Sequence, residues 1–273
     1  MSRSPSRYAV IGQPVAHSLS PRIHPQFAAQ FGLALQYEAI DVAPADLAAR
    51  IAQLHTGGYA GLNVTLPHKA AVAALCESVS ERAALAGAVN CLSRRDSGWI
   101  GDNTDGEGLV RDLLRLGIAI AGRRVLIVGA GGAARGIIGP LLAAAPSELV
   151  VSSRNPWKPE ELAERFKAQG ALTPRTHLAL KGDRYDLIIN ATSAGHEGAM
   201  PRLPSNLLAE GGACYDLSYG PAHAPFAAWA QSQRGVAVVA DGLGMLVEQA
   251  AVSFDIWLGH RPETDPVLAA LRR

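Results

Sequence analysis

Val125–Val128 (VLIV) runs directly into Gly129–Ala134 (GAGGAA) near the middle of this 273-residue chain. Four apolar residues followed by G-x-G-x-x-A are typical of a buried parallel strand that turns into a helix around a pyrophosphate. The first glycine permits the tight turn, the second lets the backbone approach the phosphates, and the small last residue lets the helix pack on the strand. The stretch therefore predicts a dinucleotide site, although a tight turn that binds nothing has the same pattern.

The residues after this stretch repeat the order of a strand followed by a helix. Apolar runs predict buried strands at Arg124–Val128, Leu149–Ser153, Leu187–Asn190, Ala213–Leu217 and Val236–Val239. Repeated β-then-α order favours a parallel sheet with right-handed crossovers. We therefore expect an α/β fold with a Rossmann-type, doubly wound parallel sheet over residues 107–241.

The residues before the glycine turn are numerous enough for a separate α/β domain. Strands are predicted at Tyr8–Ile11, Gln36–Val42 and Gly61–Leu66, and a hairpin at Val89–Leu92 and Trp99–Gly101. The helices predicted at 245–258 and 266–271 have no nucleotide-domain strand left to cover. We therefore expect a discontinuous substrate-binding domain made of residues 1–106 and 242–273.

Composition narrows the class of protein. Hydrophobic residues make up 48% of the chain, charged residues 18%, and the net charge is +1, so nothing favours a nucleic-acid partner. The three cysteines lack C-x-x-C spacing, which favours a reducing cytoplasm. No apolar run could span a bilayer and no leader pattern occurs at Met1–Pro5, so membrane insertion and secretion are both disfavoured. Histidine spacing predicts no metal site. We expect a monomer or homodimer that acts on a small molecule.

The end of the second nucleotide-domain strand indicates which dinucleotide binds. NAD enzymes usually carry an acid there, but this chain has Ser153-Arg154-Asn155 and no acid until Glu160. A guanidinium can pair with a 2′-phosphate that a carboxylate would repel. Arg154 therefore predicts NADP, with Lys158 close enough to help, unless the arginine is merely a solvated strand end.

Polar constellations in the other half suit a small polar substrate. Ser18 and Ser20 precede a helix, where unpaired N–H groups favour a carboxylate, although Ser20 could be only a cap. Strand alternation puts Asn63 and Thr65 on one face, and Lys69 follows at the strand's carboxyl end. Without further evidence, a lysine at such a position is most often solvated.

Further motifs complete the pattern: G-A-x-N ending at Asn90, N-T-D-G at 103–106, N-A-T-S at 190–193, Tyr215-Asp216-Leu217 with Tyr219, and D-G-x-x-M-L-x-x-Q-A at 241–250. Together with S-x-S-P, N-V-T-x-P-x-K and the glycine turn, these motifs resemble the shikimate dehydrogenase family over nearly the whole chain. The resemblance implies the NADP-dependent, reversible reduction of 3-dehydroshikimate to shikimate, a step of aromatic amino-acid biosynthesis.

The resemblance also implies roles for individual residues. Lys69 and Asp105 would be the catalytic pair, with the Lys69 ammonium stabilising the charge that develops on the ketone oxygen. The substrate would be bound by Ser18, Ser20, Asn63, Thr65, Lys69, Asn90, Asp105, Tyr219 and Gln249. The cofactor would be bound by Gly129, Ala130, Gly131, Gly132, Ala133, Ala134, Ser153, Arg154, Asn155, Lys158, Thr192, Ser193, Leu217, Gly242 and Met245.

The sequence departs from the family pattern at the basic cluster, which usually reads N-R-T and here reads S-R-N. Three alternatives therefore stay open. One is a quinate/shikimate dehydrogenase that uses NAD and NADP, and another is methylenetetrahydrofolate dehydrogenase, against which N-T-D-G and S-x-S-P argue. The third is a non-catalytic dinucleotide-binding regulator, which would be expected to lose Lys69 or Asp105.

Overall fold

The computed structural model describes residues 5–273 and divides the chain into two compact units. One unit comprises the described residues up to Gly108 together with Leu246–Arg273, and the other comprises Leu109–Met245. The sequence had suggested boundaries after residue 106 and before residue 242. Residues 242–245 group with the second unit because Gly242 and Gly244 pack tightly there. A Cβ added to Gly242 would lie 2.3 Å from Leu217 O, and a Cβ added to Gly244 would lie 2.0 Å from Asp112 Oδ1.

The first unit is a mixed α/β structure around a six-stranded sheet. Its elements before Gly108 are β1 (Ser6–Gly12), α1 (Ser20–Gln30), β2 (Leu35–Asp41), α2 (Leu47–Thr56), β3 (Tyr59–Val64), β4 (Ser78–Val79), α3 (Glu81–Ala86), β5 (Cys91–Arg94), β6 (Trp99–Asp102) and the start of α4 (Asp105–Arg115). The strand order is β2-β1-β3-β5-β6-β4.

Strand directions in this sheet are mixed. β1 is parallel to both β2 and β3, β3 is antiparallel to β5, and β5 and β6 form the predicted hairpin with Arg94 opposite Trp99. The apolar residues of β1 and β3 are buried because the sheet packs against helices. The two-residue β4 and the short α3 were not predicted, since segments this short leave little periodicity in the sequence.

The second unit contains β7 (Arg124–Val128), α5 (Gly132–Ala143), β8 (Glu148–Ser153), α6 (Trp157–Phe166), β9 (Leu172–Thr176), β10 (Tyr185–Asn190), β11 (Leu208–Asp216), α7 (Ala224–Gln231) and β12 (Val238–Ala240). Its strands are all parallel in the order β12-β11-β10-β7-β8-β9. This is the doubly wound order of dinucleotide-binding domains, so the predicted fold class is confirmed. Ligands of such sheets bind at the carboxyl ends of the strands where the order reverses, here between β7 and β10.

The last two helices are α8 (Leu243–Leu258) and α9 (Asp265–Leu271). From Leu246 onward they group with the first unit. Trp257 fixes α8 to the sheet, because its indole Nε1 donates to Leu92 O at 3.0 Å and its ring occupies the space beside Gly61. None of the helices described in residues 5–273 is long and apolar enough to span a bilayer.

Candidate active site and cofactor site

An ion pair lies at the centre of the polar cluster in the first unit. Lys69 Nζ lies 2.5 Å from Asp105 Oδ2, and the two side chains are only 18% and 6% exposed. Lys69 follows β3, whereas Asp105 is the first residue of α4. The structure thus brings together the two residues that the sequence suggested as a catalytic pair. An ammonium carries three hydrogens, so Lys69 keeps donors for a ligand while Asp105 fixes its position.

The Asn90 amide holds the other side of the Asp105 carboxylate. Asn90 Nδ2 lies 2.7 Å from Asp105 Oδ1, 2.9 Å from Thr104 Oγ1 and 3.2 Å from Gln249 Oε1. In return, Asn90 Oδ1 accepts from the Thr104 N–H at 2.8 Å. Gln249 comes from α8, so residues far apart in sequence meet around one amide. Its own amide Nε2 also donates to Leu246 O at 2.9 Å.

Asn63, at the end of β3, uses all its hydrogen-bonding positions within the first unit. Its Oδ1 accepts from the Tyr37 hydroxyl at 2.7 Å and from His24 Nε2 at 3.1 Å. Its Nδ2 donates to Asn90 O at 3.2 Å and to Ser253 Oγ at 3.0 Å. An amide offers two donors and two acceptor positions. The structure therefore places Asn63 beside the cluster, with every one of these positions occupied by protein groups.

His24 lies beneath Asn63 in an aromatic environment. Its ring is fully buried and stacks on Tyr37, with centroids 4.3 Å apart, and it also contacts Phe254 and Trp257. Burial lowers the pKa of His24 to about 3, against the weaker opposing effect of its bond to Asn63. The ring is therefore neutral at physiological pH. Because Asn63 Oδ1 only accepts, the His24 proton is assigned to Nε2.

The serine pair and Thr65 border the same region. Ser20 is buried as the first residue of α1, and its hydroxyl partly offsets the rise that burial causes in the pKa of Tyr37. Ser18 Oγ accepts from the Ser20 N–H at 3.3 Å. The Thr65 N–H bonds to Ile11 O at 2.9 Å, which continues the ladder past the end of β3.

In the second unit, the glycine turn has the geometry that the sequence predicted. Gly129 has φ +110°, and an added Cβ would lie 3.0 Å from Ala191 O, so the backbone after β7 passes close to the backbone after β10. A Cβ on Gly131 would meet no atom within 4 Å among the described residues. Ala134 is fully buried against the sheet. Ala130, Gly132 and Ala133 complete this backbone, which leaves room for a phosphate group at the start of α5.

The carboxyl end of β8 carries the predicted basic cluster. Ser153 ends the strand, Arg154 and Lys158 are exposed, and Asn155 Oδ1 accepts from the N–H of Trp157, the first residue of α6, at 3.0 Å. His177, which follows β9, also lies here, and its Nδ1 is 3.2 Å from Ser152 Oγ. Burial and then the Arg154 guanidinium lower the pKa of His177. The cluster is cationic at Arg154 and Lys158, which suits a phosphate.

The remaining predicted cofactor residues follow β10, β11 and β12. Thr192 Oγ1 donates to Asn190 Oδ1 at 2.8 Å, and Asn190 Nδ2 donates to Asp216 Oδ1 at 3.0 Å. Asp216 also lies 3.2 Å from His223 Nδ1. This unit also contains Ser193, which is exposed, Leu217, which is partly buried, and Gly242 and Met245, which are buried. Tyr219 belongs to the same unit, and burial raises the pKa of its hydroxyl.

Comparisons with known proteins identify the family. Three family models match the chain. Residues 10–92 match the shikimate dehydrogenase substrate binding domain, residues 113–200 match shikimate / quinate 5-dehydrogenase, and residues 242–272 match the shikimate 5′-dehydrogenase C-terminal domain. The curated shikimate dehydrogenase (NADP(+)) of Methylococcus capsulatus is 50% identical over 269 residues, which cover 98% of this chain and 96% of that protein. The chain belongs to the shikimate dehydrogenase family.

Solved structures agree with this assignment. Shikimate 5-dehydrogenase from Thermus thermophilus, crystallised with NADP(H) and shikimate, matches with a TM-score of 0.86 and 36% identity over 98% of this chain and 99% of that one. An Ael1 enzyme from Pseudomonas putida matches with a TM-score of 0.90 and 42% identity over 97% and 98% of the two chains. The resemblance to shikimate dehydrogenases is thereby confirmed.

Several residues of this shikimate dehydrogenase family member belong to the polar clusters but were not singled out from the sequence. Ser253 lies one helical turn after Gln249 on α8, a spacing that could have revealed it. Tyr37 and His24 lie in unrelated segments and gave no such signal. Arg135 directly follows the glycine turn, and its Nε is buried without a hydrogen-bond partner among residues 5–273. A guanidinium beside the turn with an unpaired, buried Nε fits an anionic dinucleotide.

Proposed function

We propose that this protein is an NADP-dependent shikimate dehydrogenase that reversibly reduces 3-dehydroshikimate to shikimate. The observation that carries the proposal is the Lys69–Asp105 pair, held by Asn90 and partly shielded from water, in a chain half identical to a curated enzyme of that activity. A regulator without chemistry would have no need for a positioned ammonium at this place. The substrate is a small molecule with a carboxylate and ring hydroxyls.

Lys69 acts as the general acid in the direction of ketone reduction. Negative charge develops on the carbonyl oxygen, and an ammonium within hydrogen-bond reach stabilises that charge and transfers a proton to the oxygen. Asp105 holds the ammonium at 2.5 Å, while Asn90 fixes the other carboxylate oxygen at 2.7 Å. In the reverse direction, the same lysine accepts the proton. A bound nicotinamide would supply or receive the hydride.

The other predicted side chains bind and orient. Ser18 and Ser20 hold the substrate carboxylate, and Thr65, Asp105, Gln249 and Tyr219 hold its remaining polar groups. Asn90, whose amide is occupied by Thr104, Asp105 and Gln249, positions the Asp105 carboxylate. Asn63 supports this arrangement through Asn90 O and Ser253. For the dinucleotide, the turn at Gly129–Ala134 receives the pyrophosphate and Arg154 receives the 2′-phosphate, with Ser153, Asn155 and Lys158 as neighbours. Thr192, Ser193, Leu217, Gly242 and Met245 line the nicotinamide end.

Steady-state kinetics test the proposal directly. Purified protein is assayed for reduction of NADP and of NAD, each with shikimate and with quinate, by absorbance of the reduced nicotinamide. We expect the highest kcat/KM with shikimate and NADP. Turnover of quinate or NAD at a comparable kcat/KM would instead show a quinate/shikimate dehydrogenase of dual cofactor use. Absence of turnover with every pair would refute the enzymatic proposal.

A further inference from the structure

Arg135 occupies the first turn of α5, immediately after the glycine turn. The helix begins at Gly132, and its first intrahelical hydrogen bond runs from the Arg135 N–H to Gly131 O at 3.0 Å. The guanidinium folds back toward this end of the helix, because its Nη2 lies 3.9 Å from the position that a Cβ on Gly132 would take. Arg135 therefore lies against the turn rather than pointing away along the helix.

The position is electrostatically unfavourable for a cation without a partner. A helix N-terminus carries about half a positive charge, so a cation there is destabilised where an anion is stabilised. The first turn of α5 contains no acidic residue, and the next acid in the sequence, Glu148, bonds to Arg124 at 2.7 Å. Residues 132–147 therefore contain no carboxylate that could offset the charge of Arg135.

The hydrogen bonding of Arg135 is also incomplete. Its Nε is buried, and it has no hydrogen-bond partner among residues 5–273. A buried donor without a partner destabilises the folded protein, and more so when the group is charged. The N–H groups of Gly132, Ala133 and Ala134 precede the first intrahelical bond and are the unpaired donors that every helix start presents. An anion at this point would satisfy both sets of donors.

We propose that Arg135 binds the pyrophosphate of the dinucleotide and so serves NAD and NADP alike, whereas Arg154 distinguishes them through the 2′-phosphate. This inference rests on the proposed cofactor, because it assigns a further residue to the same site. The guanidinium adds a charge-assisted hydrogen bond to those of the backbone N–H groups. Such a bond contributes about 1.5–3 kcal/mol, equivalent to roughly tenfold or more in Kd.

Binding measurements on the whole protein separate the two arginines. Wild type, Arg135→Gln and Arg154→Gln are titrated calorimetrically with NADP, NAD and adenosine 2′-monophosphate, which carries the 2′-phosphate without a pyrophosphate. We expect Arg135→Gln to raise Kd about tenfold or more for NADP and NAD and less than about twofold for adenosine 2′-monophosphate. Arg154→Gln is expected to raise Kd for NADP and adenosine 2′-monophosphate while leaving NAD unchanged.

A second variant and a stability measurement exclude a merely structural role. Arg135→Lys keeps the charge and is expected to lose less NADP affinity than Arg135→Gln. Without ligand, Arg135→Gln is expected to unfold at the same temperature as wild type or higher, because a cation has been removed from a helix N-terminus. A structural arginine would instead give a lower unfolding temperature.

The inference is overturned if Arg135→Gln binds NADP and NAD within about twofold of wild type, since the lost bond should cost roughly tenfold. Equal losses in Arg135→Lys and Arg135→Gln, or an equal loss for adenosine 2′-monophosphate, would also overturn it. Failure of the proposed function looks different, because wild type itself would then bind neither NADP nor NAD.

Discussion

Protonation of His24 should make the first unit sensitive to mild acid. The ring is fully buried among Phe27, Tyr37, Phe254 and Trp257, and its only hydrogen bond within residues 5–273 goes to Asn63. None of these neighbours carries a negative charge that would pair with a protonated ring. Burial therefore lowers the pKa of His24 from 6.5 to about 3. An unfolded chain exposes the ring and restores the ordinary value.

The sign and size of the effect follow from this difference. Below pH 6.5 the unfolded state binds a proton that the folded state does not take up until about pH 3, so acidification favours unfolding. Each pH unit well inside this window costs about 1.4 kcal/mol. Between pH 7 and pH 5, His24 should therefore remove about 2 kcal/mol from the free energy of unfolding.

Urea unfolding followed by tryptophan fluorescence, repeated between pH 5 and pH 7.5, measures this loss. His24→Gln keeps an N–H donor for Asn63 but cannot titrate, so its stability should fall about 2 kcal/mol less than that of wild type over the same range. His17→Gln is the matched control, because His17 is exposed. It should follow the wild type. Identical pH slopes for wild type and His24→Gln would refute the reasoning.

Two further predictions concern the site and its support. Lys69→Ala should lower kcat about a hundredfold or more, because the general acid opposite Asp105 is lost; steady-state assays showing kcat within about tenfold of wild type would remove Lys69 from the chemistry. Gly244→Ala should destabilise the second unit by about 1–3 kcal/mol, because its Cβ would lie 2.0 Å from buried Asp112 Oδ1. Thermal unfolding measures this loss, and Gly98→Ala is the control, because the nearest neighbour of an added Cβ on Gly98 is 3.5 Å away. Equal melting temperatures in the two variants would contradict the prediction.

Local sequence patterns were sufficient where backbone chemistry alone determines structure. The turn at Gly129–Ala134 requires a positive φ at Gly129 and small residues after it, so the glycines and alanines in the sequence were enough to predict its geometry. β9 was missed because Pro174 and Arg175 interrupt its apolar pattern.

The polar site was only partly predictable, because its contacts join segments that are distant in the chain. The motifs shared with the shikimate dehydrogenase family identified Lys69, Asp105 and Asn90 as candidates. Whether one carboxylate receives both Lys69 and Asn90 depends on how β3, β5 and α4 pack. Tyr37 lies on β2, and nothing in its surroundings in the sequence connects it with Asn63, to which it donates at 2.7 Å.

The hydrogen-bond capacity left in this cluster indicates which side chains a substrate can engage at least cost. A ligand that bonded to Asn63 would have to displace one of its four protein partners, and a displaced buried group costs about 1–3 kcal/mol. Lys69 keeps hydrogens beyond the one it gives Asp105, and Gln249 Nε2 keeps one beyond its bond to Leu246. We therefore expect the substrate hydroxyls to meet Lys69 and Gln249 directly, while Asn63 acts through Asn90 and Ser253.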